Sequence, residues 1–156
     1  MIKPRLRPAF VTVLVVFLSL VGGRGFSQEI KTITLTGDDL HYIGYVMLSG
    51  DTTAWLNIKT DDAYYLSKGL FFRSSKVFAY LKNDDLYFLG ASLINADEPE
   101  LDKIRSDDYF YLGKAIFSKD VAVLENIQSD DIYYLGKGLI TKDMNYLDQI
   151  TTEKKQ

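Results

Sequence analysis

Paired aspartates are the residues of this sequence whose type and spacing most suggest chemistry. The pairs recur every 23 residues and begin at Asp38, Asp61, Asp84, Asp107 and Asp130. Acid–base catalysis needs two carboxyl groups whose environments hold their pKa values apart, normally once in an active site. Five equivalent pairs are better explained as turn or helix-cap residues whose carboxylates accept backbone N–H bonds. We therefore expect a structural role for the pairs and predict no catalytic residue and no enzymatic activity.

Metal binding is the next chemistry that so many carboxylates suggest. Calcium takes six to eight oxygen ligands, whereas each 23-residue repeat offers two or three, without an EF-hand loop or a glycine-rich nonapeptide. His41 is the only histidine and the chain has no cysteine, which excludes the usual zinc sites and the histidine-dependent triads. We predict no metal and no cofactor, and we expect His41 to be a packed ring.

Adjacent aromatic rings form the third candidate group. They occupy positions four and five of each repeat, as His41-Tyr42, Tyr64-Tyr65, Tyr87-Phe88, Phe110-Tyr111 and Tyr133-Tyr134. We expect one ring of each pair to be buried and the other to lie on a surface that could bind a partner, because tyrosine combines apolar area with a hydroxyl. Lys68, Lys114 and Lys137 follow at position eight, where their stems can cover the rings.

The repeat itself must position all of these residues. Five repeats cover 38–60, 61–83, 84–106, 107–129 and 130–152, which we number one to five. Position seven is glycine in four of them, and positions eighteen and twenty-one are apolar in all five. Tandem repetition predicts an array in which each unit buries its apolar face against its neighbours. The first repeat is the most divergent, as a terminal cap usually is, so we expect a linear stack.

Each repeat divides into two halves. In the second half, an Asp or Ser at position fourteen precedes apolar residues at helical spacing, which predicts a short helix. In the first half, Tyr133 to Ile140 around Gly136-Lys137 favours a β-hairpin. The alternative is a helix that begins at Ser129, resembling the first helix of a tetratricopeptide repeat; the glycines and the short 23-residue unit count against it. We predict an α+β repeat array of hairpin-plus-helix units, with an all-α helical-hairpin solenoid as the alternative.

The first 27 residues have the order of a secretory signal peptide. Lys3, Arg5 and Arg7 precede an apolar run at 9–21, which is shorter than the roughly 20 residues that span a bilayer. We expect cleavage after Ser27, or alternatively after Gly23. Residues 28–37 then form a lead-in and 153–156 a polar tail.

Removal of residues 1–27 leaves 14 basic against 21 acidic residues, a net charge of −7. Such a surface excludes nucleic acid and anionic membranes as expected partners. No second apolar run has spanning length, so we expect no integral membrane segment after cleavage. Export without cysteine favours a bacterial periplasm or secretion.

The repeat resembles the DKNYY family, whose segments have the form Val-Tyr-Tyr-x-Gly-Lys-x-Ile followed by Ala-Asp-x-x-x-Phe-x-x-Leu. Residues 132–139 match the first segment, and Asp143, Leu147 and Ile150 have the spacing of the second. The resemblance implies an exported bacterial protein of unassigned activity. We therefore predict a non-enzymatic repeat protein that mediates protein–protein interaction at the envelope; the alternative is a carbohydrate-binding module that uses exposed Tyr rings. The sequence does not identify the interaction residues.

Overall fold

The computed structural model describes residues 35–152 of the chain. The predicted signal peptide, most of the lead-in and the polar tail lie outside the described residues. Each repeat contains one α-helix followed by one 3₁₀ helix. The α-helices are α1 Gly37–Ser49, α2 Asp61–Phe72, α3 Asp84–Asn95, α4 Asp107–Ser118 and α5 Asp130–Thr141; the 3₁₀ helices are η1 Thr52–Asn57, η2 Ser75–Tyr80, η3 Glu98–Lys103, η4 Val121–Asn126 and η5 Met144–Gln149.

The first half of each repeat is a helix, so the prediction of a β-hairpin and of an α+β array is wrong. Residues 35–152 contain no strand, and the all-α alternative is confirmed. Ser129 caps α5 by accepting a bond from the Ile132 N–H, and the aspartate pair in the first turn suits the positive end of the helix. Gly136 occupies the middle of α5 and forms no turn.

The second half of each repeat is a short helix, as predicted, and it has 3₁₀ geometry. Asp51, Asp120 and Asp143 cap these helices through bonds from backbone N–H groups two residues later. Each α-helix ends at a residue in the left-handed conformation at position thirteen. That residue is glycine only in repeat one, and the others are Arg73, Ala96, Lys119 and Lys142, with φ between 51° and 57°. The left-handed residue reverses the direction of the chain and so folds each 3₁₀ helix back against its own α-helix.

The glycines at position seven are contact points between repeats. A Cβ on Gly136 would lie 2.7 Å from Cδ2 of Leu124, and a Cβ on Gly113 would lie 2.6 Å from Cδ2 of Leu101. The position-eighteen side chain of one repeat therefore packs on the bare backbone of the next. A helical glycine costs about 1 kcal/mol relative to alanine, and here the cost is offset by close packing of a fully buried leucine.

The five repeats close into a ring, which contradicts the linear stack expected from the sequence. Helix α1 packs against both α5 and η5. A Cβ on Gly44 of repeat one would lie 2.6 Å from Cδ2 of Leu147 in repeat five, which is the contact seen between consecutive repeats. Divergence of the first repeat therefore does not mark a free end.

Candidate functional site

The second aspartate of each pair binds the backbone at the end of its own repeat. Oδ1 of Asp108 accepts a hydrogen bond from the Gln128 backbone N–H at 2.7 Å, and Oδ2 accepts one from Ser129 at 3.2 Å. Its equivalents are Asp39, Asp62, Asp85 and Asp131, whose carboxylates accept bonds from backbone N–H groups 20 residues later. The expectation that these pairs satisfy backbone N–H groups is confirmed for the second aspartate.

His41 lies at the closing junction of the ring. Its Nδ1 is 3.1 Å from the carbonyl oxygen of Leu147, and its ring meets the Tyr42 ring edge to face. The histidine is therefore a packed, hydrogen-bonded ring between repeats one and five. Among residues 35–152, no three His, Cys, Asp or Glu side chains are grouped so that they could hold a metal ion.

The adjacent aromatic rings do not form a flat platform. Within each pair the rings are nearly perpendicular, with interplanar angles between 73° and 90°. The lysines at position eight lie against them: Nζ of Lys137 is 5.4 Å from the centre of the Tyr133 ring, and that of Lys68 is 5.2 Å from Tyr64. A perpendicular pair partly covered by a lysine offers little stacking surface to a sugar.

Sequence reasoning missed a cup at the centre of the ring. Its wall consists of side chains from all five α-helices, at repeat positions three, six and ten, and it encloses about 410 Å³. Position six forms the middle layer with Ile43, Leu66, Leu89, Leu112 and Leu135. Position ten forms the upper layer with Met47, Leu70, Leu93, Ile116 and Leu139. Small-molecule sites commonly have volumes of about 300–1,000 Å³ and mostly apolar walls, so the cup has the size and lining of a ligand pocket.

The cup is closed at the amino-terminal end of the helices. Leu35 and Tyr109 line this floor and both are buried, and the Tyr109 hydroxyl is hydrogen-bonded to the Leu35 backbone. Burial raises the pKa of Tyr109 to about 12. The tyrosine is therefore a neutral, apolar part of the floor at physiological pH.

The cup opens at the carboxyl end of the helices. Side chains at position six are buried in every repeat, whereas those at position ten are only half-buried in every repeat. Phe71, Ile94 and Arg73 extend the wall at this mouth. Arg73 is the one charged residue that lines the cup, and it forms no ion pair with any residue in the described part of the chain.

An exposed apolar cluster adjoins this mouth at the junction of repeats one and two. The Trp55 ring lies 5.6 Å from Phe71 and 5.7 Å from Phe72 between ring centres, and Phe72 and Leu56 are 58% and 90% exposed. We call Trp55, Leu56, Phe71 and Phe72 the aromatic patch. In the other four repeats, the position of Phe72 carries Ser49, Asn95, Ser118 or Thr141. The position of Leu56 carries Ala79, Asp102, Glu125 or Asp148. The patch is thus particular to one side of the ring.

Two signals in the sequence could have revealed the cup. Positions three, six and ten are apolar in every repeat, which is the spacing of one helix face. The second signal is Gly44, because a first repeat without a preceding neighbour has no need of a glycine at position seven. The glycines were instead interpreted as hairpin residues, and this concealed both the helix and the ring.

Fold and site together define a closed ring of five helical repeats around an apolar cup. Comparison of the chain with protein-family models, curated proteins and solved structures finds no match. The resemblance to the DKNYY family therefore stays a prediction from its motifs. No helix within residues 35–152 has the length and apolar character needed to cross a membrane.

Proposed function

We propose that this chain is an exported, non-enzymatic binding protein and that its ligand site is the central cup. The observation that carries the proposal is an apolar cavity of about 410 Å³, open at one end and lined by all five helices. A globular core normally fills such a space, because interiors pack as densely as organic crystals. Larger side chains at position ten would fill the mouth of the cup, whereas the Leu, Met and Ile side chains present there leave the mouth open.

The ligand that such a wall favours is an apolar group. Leucine, isoleucine and methionine offer no hydrogen-bond donors, so binding derives from removing apolar surface from water, at about 25 cal/mol per Å². The envelope or the medium of a bacterium, which the signal-like segment 1–27 predicts as the location, contains free amphiphiles and lipids. Uptake of an apolar ligand would require no catalytic group.

The test uses N-phenyl-1-naphthylamine, a neutral apolar dye that becomes fluorescent away from water. We expect one dye molecule per ring and displacement of the dye by decanol. Ile116→Trp, at position ten of α4, should narrow the mouth and weaken dye binding by tenfold or more. The matched control is Val121→Trp, which places the same side chain on the exposed surface of η4 and should leave binding unchanged. Equal dye binding by both variants, with normal circular dichroism, would rule out the cup as the site.

A second candidate function is protein binding, and the aromatic patch is the observation that favours it. Leu56 and Phe72 stand where the other repeats have mostly polar residues, and exposed aromatic clusters commonly mark protein interfaces. A photoreactive amino acid at position 56 should cross-link a discrete partner in the producing cell. The same group at position 125, which is the equivalent place in repeat four, should not. Loss of the cross-link in Phe72→Asn would assign it to the patch, and equal labelling from both positions would contradict a specific interface.

A further inference from the structure

We infer that the cup binds a free single-chain amphiphile with its apolar tail inward and an acidic head group beside Arg73. This inference rests on the proposed function and specifies its ligand class. The wall is apolar from the floor to position ten, and the one charged residue that lines the cup is Arg73. A wholly apolar ligand would gain no free energy from a cation at that place.

Arg73 is held at the mouth by the backbone of repeat two. It is the left-handed residue that ends α2, with φ of 51°, and its N–H bonds to the Leu70 carbonyl oxygen at 3.3 Å. Lys119 and Lys142 occupy the same repeat position with nearly the same φ, yet neither lines the cup. Position alone therefore does not bring a cation into the cup, and the arginine of repeat two is distinguished from its equivalents.

Arginine also has the chemistry that an acidic head group requires. Its planar guanidinium donates two parallel N–H bonds to a carboxylate, which a lysine ammonium cannot do. The carboxyl ends of five helices surround the mouth, and their partial negative charges disfavour an anion where no cation lines the cup. An acidic head group inside the cup is consequently favoured beside Arg73, which selects one orientation for the ligand in a ring of fivefold pseudo-symmetry.

The floor limits the tail to a single chain of moderate length. Positions three and ten are seven residues apart on each helix, which corresponds to a depth of about 10 Å at 1.5 Å per residue. Tyr109 and Leu35 close the lower end. Affinity should therefore rise about fourfold for each methylene that enters the cup and then stop rising when the tail meets the floor.

The experiment is isothermal titration calorimetry of the mature chain at neutral pH with three ten-carbon probes: decanoate, decanol and decyltrimethylammonium. We expect decanoate to bind about tenfold more tightly than decanol. Arg73→Gln should remove this preference, so that the variant binds decanoate no more tightly than it binds decanol. Lys142→Gln is the matched control, since it removes an equivalent charge at the same repeat position outside the cup, and it should retain the preference.

Each other outcome overturns a specific part of the proposal. Equal binding of decanoate and decanol would refute the acidic head group and leave the apolar site standing. Preference for decyltrimethylammonium would show that the partial negative charges at the carboxyl ends of the helices, and not Arg73, select the head group. Binding of phosphatidylglycerol vesicles without binding of free decanoate would assign the same chemistry to a membrane surface. Failure of all three probes to bind would refute the proposed function itself.

Discussion

Four junctions of the ring follow one rule, and the junction between repeats one and two departs from it. At the four regular junctions, a Leu or Phe at position eighteen packs on a glycine of the next repeat, and this includes the closing contact of Leu147 with Gly44. At the irregular junction, Trp55 replaces the smaller side chain and Ser67 replaces the glycine. The indole N–H donates to Ser67 Oγ at 2.9 Å, and the indole is only half-buried.

This difference distinguishes the four junctions that only hold the ring together from the one junction that carries candidate binding features. The regular junctions contribute buried leucines and bare backbone, and nothing about them distinguishes one repeat from another. The irregular junction contributes the aromatic patch and lies beside Phe71 and Arg73 at the mouth of the cup. Departure from the repeat rule is therefore concentrated at the side of the ring where a ligand or a partner has something particular to recognise.

The prediction with the largest expected effect tests whether a buried leucine contributes as much stability at the closing junction as at an internal junction. Leu124 and Leu147 are both fully buried, at 0% and 1% exposure. Truncation of such a leucine to alanine costs about 2–5 kcal/mol. We expect Leu124→Ala and Leu147→Ala to reduce the free energy of unfolding by the upper part of that range and to agree within about 0.5 kcal/mol. Urea denaturation followed by circular dichroism measures both.

The control for this prediction is a double-mutant cycle across the closing junction. A Cβ at position 44 would lie 2.6 Å from Leu147 Cδ2, so Gly44→Ala alone should destabilise by about 1–3 kcal/mol through overpacking. In the background of Leu147→Ala part of that cost should disappear, because the nearest clashing methyl is gone and only the contact with Leu135 Cδ1 at 2.9 Å remains. Additive effects, or a much smaller cost for Leu147→Ala than for Leu124→Ala, would mean that the ring is open in solution.

The sequence predicts the units of this fold better than their assembly. Repeat length, the short second helix and the structural role of the aspartates follow from local spacing, because caps and helix faces are local features. The helix in the first half was missed because Gly136 and Gly138 carry a propensity penalty, whereas the close packing at Gly136 involves Leu124 of the preceding repeat. Helix ends were obscured because Ala96 and the lysines at position thirteen adopt a left-handed conformation usually taken by glycine.

The candidate site could not be derived from one repeat. Its wall combines positions six and ten of all five helices with position three of three of them, so it exists only once the ring has closed. The contribution of Arg73 is still less visible, because Lys119 and Lys142 have the same charge at the same position and lie outside the cup. Local patterns therefore identify which residues are apolar, and only the closed geometry shows what they enclose.

A second prediction concerns the floor of the cup and its dependence on pH. Burial raises the pKa of Tyr109 to about 12, above the unfolded value of about 10. The neutral Tyr109 hydroxyl therefore contributes its full stabilisation below about pH 10, and this contribution is lost as the pH rises through the folded-state pKa. The difference of about two pKa units corresponds to about 2–3 kcal/mol.

Comparison with Tyr109→Phe isolates this effect from the other groups that titrate at high pH. Between pH 9 and 12, the wild-type chain should lose about 2 kcal/mol more unfolding free energy than the variant. The hydrogen bond to the Leu35 backbone is absent in the variant, but its loss shifts stability by a constant amount below pH 10. Parallel pH profiles for the two proteins would show that the hydroxyl is exposed to water and that the floor is open.

The smallest expected effect examines the irregular junction directly. Ser67→Ala removes the acceptor of the Trp55 indole N–H but keeps the Cβ, so the loss should be about 1 kcal/mol, the usual net value of one hydrogen bond. Ser118→Ala is the control, because that exposed hydroxyl bonds only to carbonyl oxygens of its own helix, and it should change stability by less than about 0.5 kcal/mol. Trp55 is the only tryptophan, so its fluorescence reports this junction alone; a shift of its emission is expected with Ser67→Ala and none with Ser118→Ala. If Ser67→Ala left both stability and emission unchanged, the indole would not be fixed by the serine, and the aromatic patch would have to be held in place by the contacts of Trp55 with Phe71 and Phe72 alone.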